Sequence, residues 1–201
     1  TGVNISGASI LSVEKACSFK SLKMGVNLNT TGTSSIKDST FVENVNGLYM
    51  TRSGDASVYR NSFLRNSTYG IYVGTSVNAI IKNNIFDTNG TSIYFLSNFK
   101  SMIANNVFAN STKSAVTLAT DTNLIQNINN VYYNNAKHIV AVGTKLQSVS
   151  GYNIYYPSPS TLFTKFTPQI TSIKADPSLD SSSWKPNAGS VAINSGNPDA
   201  L

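Results

Sequence analysis

The chain has 201 residues, with fifteen Lys and Arg against nine Asp and Glu, which gives a formal net charge of +6 at pH 7. One cysteine excludes a disulfide framework, and no apolar run reaches membrane-spanning length, so we expect no membrane insertion. The basic excess is scattered, without the stripe or module of a nucleic-acid-binding protein, so we expect no nucleic-acid partner. This excess of positive charge can serve either to keep the protein soluble or to attract an acidic polymer.

The first 34 residues carry the repeat pattern of the chain only weakly. Residues 1–7 contain neither Met nor a signal-peptide pattern, and Gly25-Val26-Asn27-Leu28 matches a segment that recurs later. We expect one or two coils here, and we expect further coils or a cap to precede this sequence in the full protein.

From residue 36 to residue 156, a phrase of the form Asn-x-Phe-x-x-Asn recurs with small changes. Asn61-Ser62-Phe63-Leu64-Arg65-Asn66 is a clear copy. The aromatic positions of the six copies are Phe41, Phe63, Phe86, Phe108, Tyr132 and Tyr155. Successive copies are 22, 23, 22, 24 and 23 residues apart, and a period of this size predicts a stacked solenoid.

A second apolar alternation follows each copy of the phrase. Examples are Gly47-Leu48-Tyr49-Met50 and Gly70-Ile71-Tyr72-Val73, which alternate at period two between Gly, Asn and Ser breakers. Such alternation of β-branched and aromatic residues is typical of strands. The leucine spacing and the helical return of a leucine-rich repeat are both missing. Each repeat therefore predicts two or three strands and no helix.

Equivalent positions of successive repeats should stack into columns, because strands of neighbouring coils lie about 4.8 Å apart. One column predicts an internal asparagine ladder, whose amides bond to the coils on both sides. Its members are Cys17, Ser39, Asn61, Asn84, Asn106, Asn130 and Asn153. An aromatic core column follows two residues later, from Phe19 to Tyr155. An aliphatic core column is predicted at Leu48, Ile71, Ile93, Ala115 and Ile139. The ladder position of Cys17 predicts a buried thiol and not a nucleophile.

The middle residues of the second strands predict an outward column. Its members are Asn27, Tyr49, Tyr72, Tyr94, Val116 and Val140. Three consecutive exposed tyrosines, with Arg52 and Lys100 in the loops beyond them, suit sugar rings, which offer apolar faces edged by hydroxyls. We therefore predict these five residues as a carbohydrate-binding site. The alternatives are that the tyrosines stabilise the sheet by contacts with one another, or that an oligomer hides them.

Converging carboxylates, which a glycoside hydrolase needs, are not predicted. No two of the acidic residues share a column on adjacent coils; they are Glu14, Asp38, Glu43, Asp55, Asp87, Asp121, Asp176, Asp180 and Asp199. Only Asp55 lies close to the tyrosine-bearing strand, whereas calcium needs six to eight oxygen ligands. His138, the only histidine, is predicted to be a turn residue. The sequence thus predicts no catalytic residue, no metal ligand and no cofactor, with Ca²⁺ expected only if the protein is a lyase.

Residues 159–201 differ in character from the repeats. Pro157 and Pro159 interrupt the pattern, and Trp184-Lys185-Pro186 leads to the phrase Ser190-Val191-Ala192-Ile193-Asn194-Ser195-Gly196. We predict coils over residues 1–158 and a C-terminal segment over residues 159–201 that packs on the side or end of the solenoid. The side that we expect it to cover is an apolar outward column. This column is Ile85, Val107, Val131 and Ile154.

The repeats resemble those of the pectate-lyase-like superfamily, and the phrase from Ser190 to Gly196 resembles the closing segment of many secreted bacterial β-helix proteins. The chain departs from that closing phrase by Val191 in place of Pro and Asn194 in place of Asp. The resemblance implies an all-β fold, a single-stranded right-handed parallel β-helix of about seven coils of 22–24 residues with an irregular C-terminal covering segment. It also implies a secreted or cell-surface protein, and it carries no catalytic motif.

Three functions are compatible with these observations. We favour an extracellular module that binds polysaccharide, possibly an acidic one, through the tyrosines. The first alternative is a polysaccharide lyase, similar to pectate or alginate lyases, that performs β-elimination at uronates with part of its site outside this sequence, or without metal through Arg52 or Lys100 and a tyrosine. The second is a structural shaft of an adhesin or tailspike. The sequence leaves open whether the protein is a monomer or a trimer.

Overall fold

The computed structural model describes residues 1–52, 54–75, 77–97, 100–120, 125–143 and 149–196. The strands along the chain are β1 (Val3–Gly7), β2 (Ser12–Val13), β3 (Ser18–Lys20), β4 (Met24–Thr30), β5 (Ser34–Lys37), β6 (Thr40–Val42), β7 (Asn46–Met50), β8 (Ala56–Tyr59), β9 (Ser62–Leu64), β10 (Tyr69–Val73), β11 (Ala79–Lys82), β12 (Ile85–Asp87), β13 (Thr91–Phe95), β14 (Ser101–Ala104), β15 (Val107–Ala109), β16 (Ser114–Leu118), β17 (Ile125–Ile128), β18 (Val131–Tyr133), β19 (Ile139–Ala141), β20 (Val149–Gly151), β21 (Ile154–Tyr156) and β22 (Phe163–Thr164). A single 3₁₀ turn, Ser160–Leu162, is the only helical element in the described part of the chain.

The strands form three parallel sheets, to each of which every coil adds one strand. The first sheet has the order β1-β4-β7-β10-β13-β16-β19-β22, the second β2-β5-β8-β11-β14-β17-β20, and the third β3-β6-β9-β12-β15-β18-β21. The predicted all-β parallel solenoid is confirmed, and sheets of eight, seven and seven strands agree closely with the predicted seven coils. Strand β22 continues the first sheet beyond residue 158.

Tight corners let one coil pass from sheet to sheet within a few residues. Two columns of corner residues have positive φ, one before and one after each strand of the third sheet from β3 to β18, such as Asn105 (φ 57°) and Asn110 (φ 53°). Asparagine tolerates this left-handed conformation better than most residues, because its short amide bonds to nearby backbone. The abundance of asparagine in the repeats thus has a backbone cause at the corners.

The core is filled by the predicted aromatic column. The rings from Phe19 to Tyr155 stack in sequence, and the rings from Phe41 onward are fully buried. The neighbouring ring centroids are 4.9, 4.7, 5.0, 4.9, 4.9 and 4.8 Å apart. This spacing matches the distance between adjacent parallel strands, so the column carries the solenoid repeat through its interior.

The predicted asparagine ladder is also present. The Asn61 Nδ2 donates to Asn84 Oδ1 at 3.1 Å, Asn84 Nδ2 to Asn106 Oδ1 at 3.0 Å, and Asn106 Nδ2 to Asn130 Oδ1 at 3.0 Å. Cys17, predicted to be buried in this column, is only half-buried, since its coil carries the edge strand β3.

A second ladder, which the sequence analysis missed, occupies the corner after the third sheet. Asn44 Nδ2 donates to Asn66 Oδ1 at 3.0 Å, and Asn66 Nδ2 donates to Asn89 Oδ1 at 2.9 Å. The column continues through Ser111 to Asn135. The last asparagine of the repeated phrase was the sequence feature that could have predicted this second ladder. Two ladders therefore satisfy the buried polar groups on both sides of the third sheet.

One register prediction was wrong. Val116, predicted to point outward after Tyr94, pairs with Ile93 in the core column, and Thr117 pairs with Tyr94 instead. Ala115 is therefore not the member of the aliphatic column that was predicted. Val116 lies eight positions after Phe108, whereas Ile93 lies only seven positions after Phe86, so the extra corner residue shifts the strand by one position.

The C-terminal segment runs along the third sheet. Ile173 forms a parallel bridge with Ile154, and the ring of Trp184 lies 6.1 Å from that of Tyr133. Gly196 lies close to the side chain of Asn129. These contacts reach Ile154 of the apolar column that was predicted to be covered, while Val107 is half-buried. The division of the chain at residue 158 stays a prediction.

Candidate functional site

Tyr49, Tyr72 and Tyr94 form one row on the outer face of the first sheet. They are the fourth residues of β7, β10 and β13, and they pair directly in register. Their rings stack with centroids 4.3 Å (Tyr49 and Tyr72) and 5.5 Å (Tyr72 and Tyr94) apart. Each of the three is half-buried, although the residues on both sides of it in its strand point into the core. We call these three residues the tyrosine row.

The rings of the tyrosine row cover one another. Interplanar angles of 13° and 7° place the faces of Tyr72 against Tyr49 on one side and Tyr94 on the other. The row therefore presents ring edges and hydroxyls to a ligand, and not the open aromatic faces that the sequence analysis expected. Its free faces are those at the two ends, next to Asn27 and Thr117 in the same register.

A fourth tyrosine, which the sequence analysis missed, packs beside the row. The ring of Tyr69 lies 5.5 Å from that of Tyr72 and 5.1 Å from that of Tyr94, and both contacts are tilted. Tyr69 begins β10 and occupies a second outward position of the same face. Its signal in the sequence was its position three residues before Tyr72, outside the strict alternation that we used. The tyrosine cluster is therefore two columns wide at its centre.

Two phenols of the cluster, those of Tyr69 and Tyr72, have raised pKa values. Burial among the neighbouring rings raises the pKa of Tyr72 to about 12, and hydrogen bonding to Tyr49 and repulsion from the other phenols add to the shift. Burial also raises the pKa of Tyr69. A phenol with a raised pKa stays a hydrogen-bond donor at neutral pH and is a poor general base.

Arg52 and Lys100 lie in the corner between the first and second sheets, beyond the tyrosine row. Arg52 is exposed two residues after Met50, and its backbone carbonyl accepts from Gly54 N–H at 2.9 Å. Lys100 is exposed directly before β14, on the far side of the same corner and two coils away. The structure therefore places the two cations at one margin of the row, but not next to each other.

The opposite margin of the tyrosine face is also basic. Lys23 and Lys113 directly precede Met24 of β4 and Ser114 of β16, in the corner that leads from the third sheet. Three acids of the N-terminal coils form ion pairs away from this face. These pairs are Lys37 with Glu14 at 3.0 Å, Arg60 with Asp38 at 2.7 Å, and Arg65 with Glu43 at 3.0 Å. Basic residues thus lie at both margins of the tyrosine face, and one exposed acid, Asp55, follows Arg52 at the first of these margins.

Among the residues that the structure describes, no group of three or more His, Cys, Asp or Glu side chains is placed to hold a metal ion. Asp121 and Asp199, two of the acids considered in the sequence analysis, lie outside the described residues. No helix in the described chain has the length and apolar character that crossing a membrane would require.

His138, predicted to be a turn residue, lies in a bend directly before β19, and its side chain is fully buried in the core. Its Nε2 donates to the carbonyl of Pro157 at 2.6 Å, and its Nδ1 lies 3.4 Å from Asn135 Nδ2 as an acceptor. Its ring contacts those of Tyr155 and Phe163. Burial lowers the pKa of His138, and the bond to Pro157 only partly opposes this. The burial of the ring was not predicted, because β22, whose Phe163 packs against it, lies outside the regular repeats.

We predict that acidification from pH 7.5 to pH 5.5 destabilises the wild-type protein through His138. The folded-state pKa lies below the unfolded one, so the unfolded chain binds the proton more readily and stability falls as the pH drops below about 6.5. We expect a loss of about 1 kcal/mol in the free energy of urea unfolding. A His138→Gln variant should lose this dependence. Equal slopes for both proteins in this pH range would contradict the prediction.

A family model described as "Right handed beta helix region" matches residues 1–135. No curated protein and no solved structure matches the chain.

Proposed function

Because the chain belongs to the right-handed β-helix family, whose model covers about two thirds of it, we propose that it is a β-helix module that binds polysaccharide along the tyrosine row. The observation that carries the proposal is the row itself. Three tyrosines in register on one outer sheet face offer hydroxyls at the coil spacing, and a polymer of repeated sugar units can meet them one after another.

The charges around the row favour an acidic polysaccharide. The phenol of Tyr72, whose pKa is raised to about 12, stays protonated and can donate to a carboxylate. Lys23, Lys113, Arg52 and Lys100 lie along the two margins. Long-range attraction between this basic face and an anionic polymer would speed their encounter at low salt. On this proposal the protein acts outside the cell or at its surface, where such polymers occur.

We expect the triple variant Tyr49→Phe, Tyr72→Phe, Tyr94→Phe to bind polygalacturonate on the order of a hundredfold more weakly than the wild type. It keeps the stacked rings but removes three donors, each of which contributes about 1 kcal/mol, and about 1.4 kcal/mol corresponds to a factor of ten. Binding can be measured by isothermal titration calorimetry at low and high salt.

The matched control is the double variant Tyr59→Phe, Tyr156→Phe, which removes hydroxyls from the outer faces of the second and third sheets. It should bind like the wild type. A triple variant with alanine in the row tests whether the rings contribute beyond their hydroxyls. Unchanged affinity in both triple variants would overturn the proposal, and so would equal loss in the control.

The lyase and shaft alternatives are tested in the same samples. A lyase would release unsaturated uronates, which absorb in the ultraviolet, whereas a binding module leaves the polymer intact. The raised pKa of Tyr72 makes this phenol a poor base for β-elimination. A trimeric mass together with indifference to every polysaccharide would favour a structural shaft.

A further inference from the structure

A hollow at the C-terminal end of the solenoid lies far from the tyrosine row along the chain. It has a volume of about 200 Å³. The hollow is lined by Ser158, Ser160, Phe163, Phe166, Thr167, Pro168 and Lys174. Sites for drug-sized ligands have about 300–1,000 Å³, so this hollow suits a smaller molecule, of about one ring with substituents.

Two phenyl rings form an apolar wall of the hollow. Phe163 and Phe166 stack at 6.0 Å with an interplanar angle of 26°, and both are half-buried. The edge of Phe163 packs on the buried ring of Tyr155 at 5.0 Å and 83°. The core therefore holds this wall in place before any ligand arrives, which lowers the entropic cost of binding.

The polar groups of the hollow include one cation and several hydroxyls. Lys174 is exposed and takes part in none of the four ion pairs found among the described residues. Lys165 Nζ donates to the carbonyl of Val142 at 2.9 Å, so the neighbouring lysine is already engaged. The nearest acid along the chain, Asp176, accepts the N–H of Ser178 at 2.8 Å. Among the residues that line the hollow, Lys174 is the charged one.

We propose that this hollow binds a small aromatic carboxylate. The ligand ring packs on Phe163 and Phe166, its carboxylate pairs with the ammonium of Lys174, and ring hydroxyls bond to Ser160 or Thr167. A flat aromatic ligand can pack against the two phenyl rings in the geometries that aromatic pairs prefer. A charge-assisted hydrogen bond from Lys174 to its carboxylate would then fix the orientation of the ligand. This site is independent of the tyrosine row, because the two share no residue.

The test uses 4-hydroxybenzoate as the probe, with 4-hydroxybenzyl alcohol as the uncharged match and glucuronate as a carboxylate without an aromatic ring. Amide chemical shifts of the full chain are followed by nuclear magnetic resonance during titration. We expect 4-hydroxybenzoate to shift amides between residues 158 and 174 with a Kd of about 1 mM or below. The variant Lys174→Met should weaken its binding about tenfold. Lys185→Met, which removes an exposed lysine outside the hollow, should leave it unchanged.

Three results would overturn the proposal. One is the absence of shifts around the hollow with 4-hydroxybenzoate. Another is equal binding of the alcohol, or tighter binding of glucuronate, since either would remove the need for a ring together with a charge. The third is an equal loss of affinity in Lys174→Met and Lys185→Met, which would indicate a general attraction of anions to a basic protein.

Discussion

Replacing Asn84 with alanine is expected to destabilise the protein by about 4 kcal/mol. The Asn84 side chain is almost fully buried, and its Nδ2 donates to the carbonyl of Val58 at 2.9 Å and to Asn106 Oδ1 at 3.0 Å. Its Oδ1 accepts the backbone N–H of Asn61 at 2.9 Å. Alanine leaves groups on two neighbouring coils without partners, and each orphaned buried group costs about 1–3 kcal/mol. Chemical denaturation measures the change.

The matched control for this prediction is Asn83→Gly, one residue earlier in the same corner. Asn83 is exposed and has φ 57°, a conformation that glycine also adopts readily. We expect this change to cost less than about 1 kcal/mol. If the two variants were equally stable, the ladder amides would contribute no more than an exposed asparagine does.

The aromatic column of the core could be predicted from the sequence because it depends only on the repeat length. An aromatic residue every 22–24 positions has one way to stack in a parallel solenoid, and Phe41 to Tyr155 do so. The first asparagine ladder was predicted from the same spacing of 22–24 residues. The stacked solenoid and the ladder were therefore accessible from spacing, whereas the family was suggested by a resemblance of the repeats.

Details that depend on the corners could not be predicted in this way. The outward position after Tyr94 went to Thr117 because one corner is longer by a residue. Cys17 is half-buried because its strand forms a sheet edge. His138 is buried by β22, a strand that belongs to no repeat of the phrase. Repeat spacing determines which residues stack, but corner length and the end of the solenoid decide which of them are covered.

In the candidate site, too, some features follow from the repeat spacing and others do not. The tyrosine row follows from the repeat, and the structure places its three members in register. The orientation of the rings does not follow from spacing. Because the rings stack on one another, their faces are covered, and only their edges and hydroxyls are exposed to solvent. Tyr69 was missed because it stands three residues before Tyr72, where alternation predicts an inward side chain. The positions of Arg52 and Lys100 relative to the row likewise depend on the corner and not on the strand.

Replacing Phe86 with alanine is expected to cost about 4 kcal/mol of stability. Phe86 is fully buried and stacks between Phe63 at 5.0 Å and Phe108 at 4.9 Å. The column cannot close over the missing ring, since its neighbours are held at the strand spacing by their own backbones, so a cavity remains. Phe86→Leu, which fills most of that volume, should cost about 1.5 kcal/mol. Chemical denaturation of the three proteins checks the order.

A comparison of Tyr72→Ala with Phe86→Ala separates the contribution of burial to stability from that of ring stacking. Tyr72 also lies between two stacked rings, at 4.3 Å and 5.5 Å, but it is only half-buried on the outer face. Stacking contributes about 0.5–1.5 kcal/mol beyond burial, so we expect Tyr72→Ala to cost about 1.5 kcal/mol, well below the cost of Phe86→Ala. Equal losses at the two positions would mean that the outer row holds the solenoid together as strongly as the core does. A small loss leaves the tyrosines free to serve a ligand, because the fold then does not depend on them.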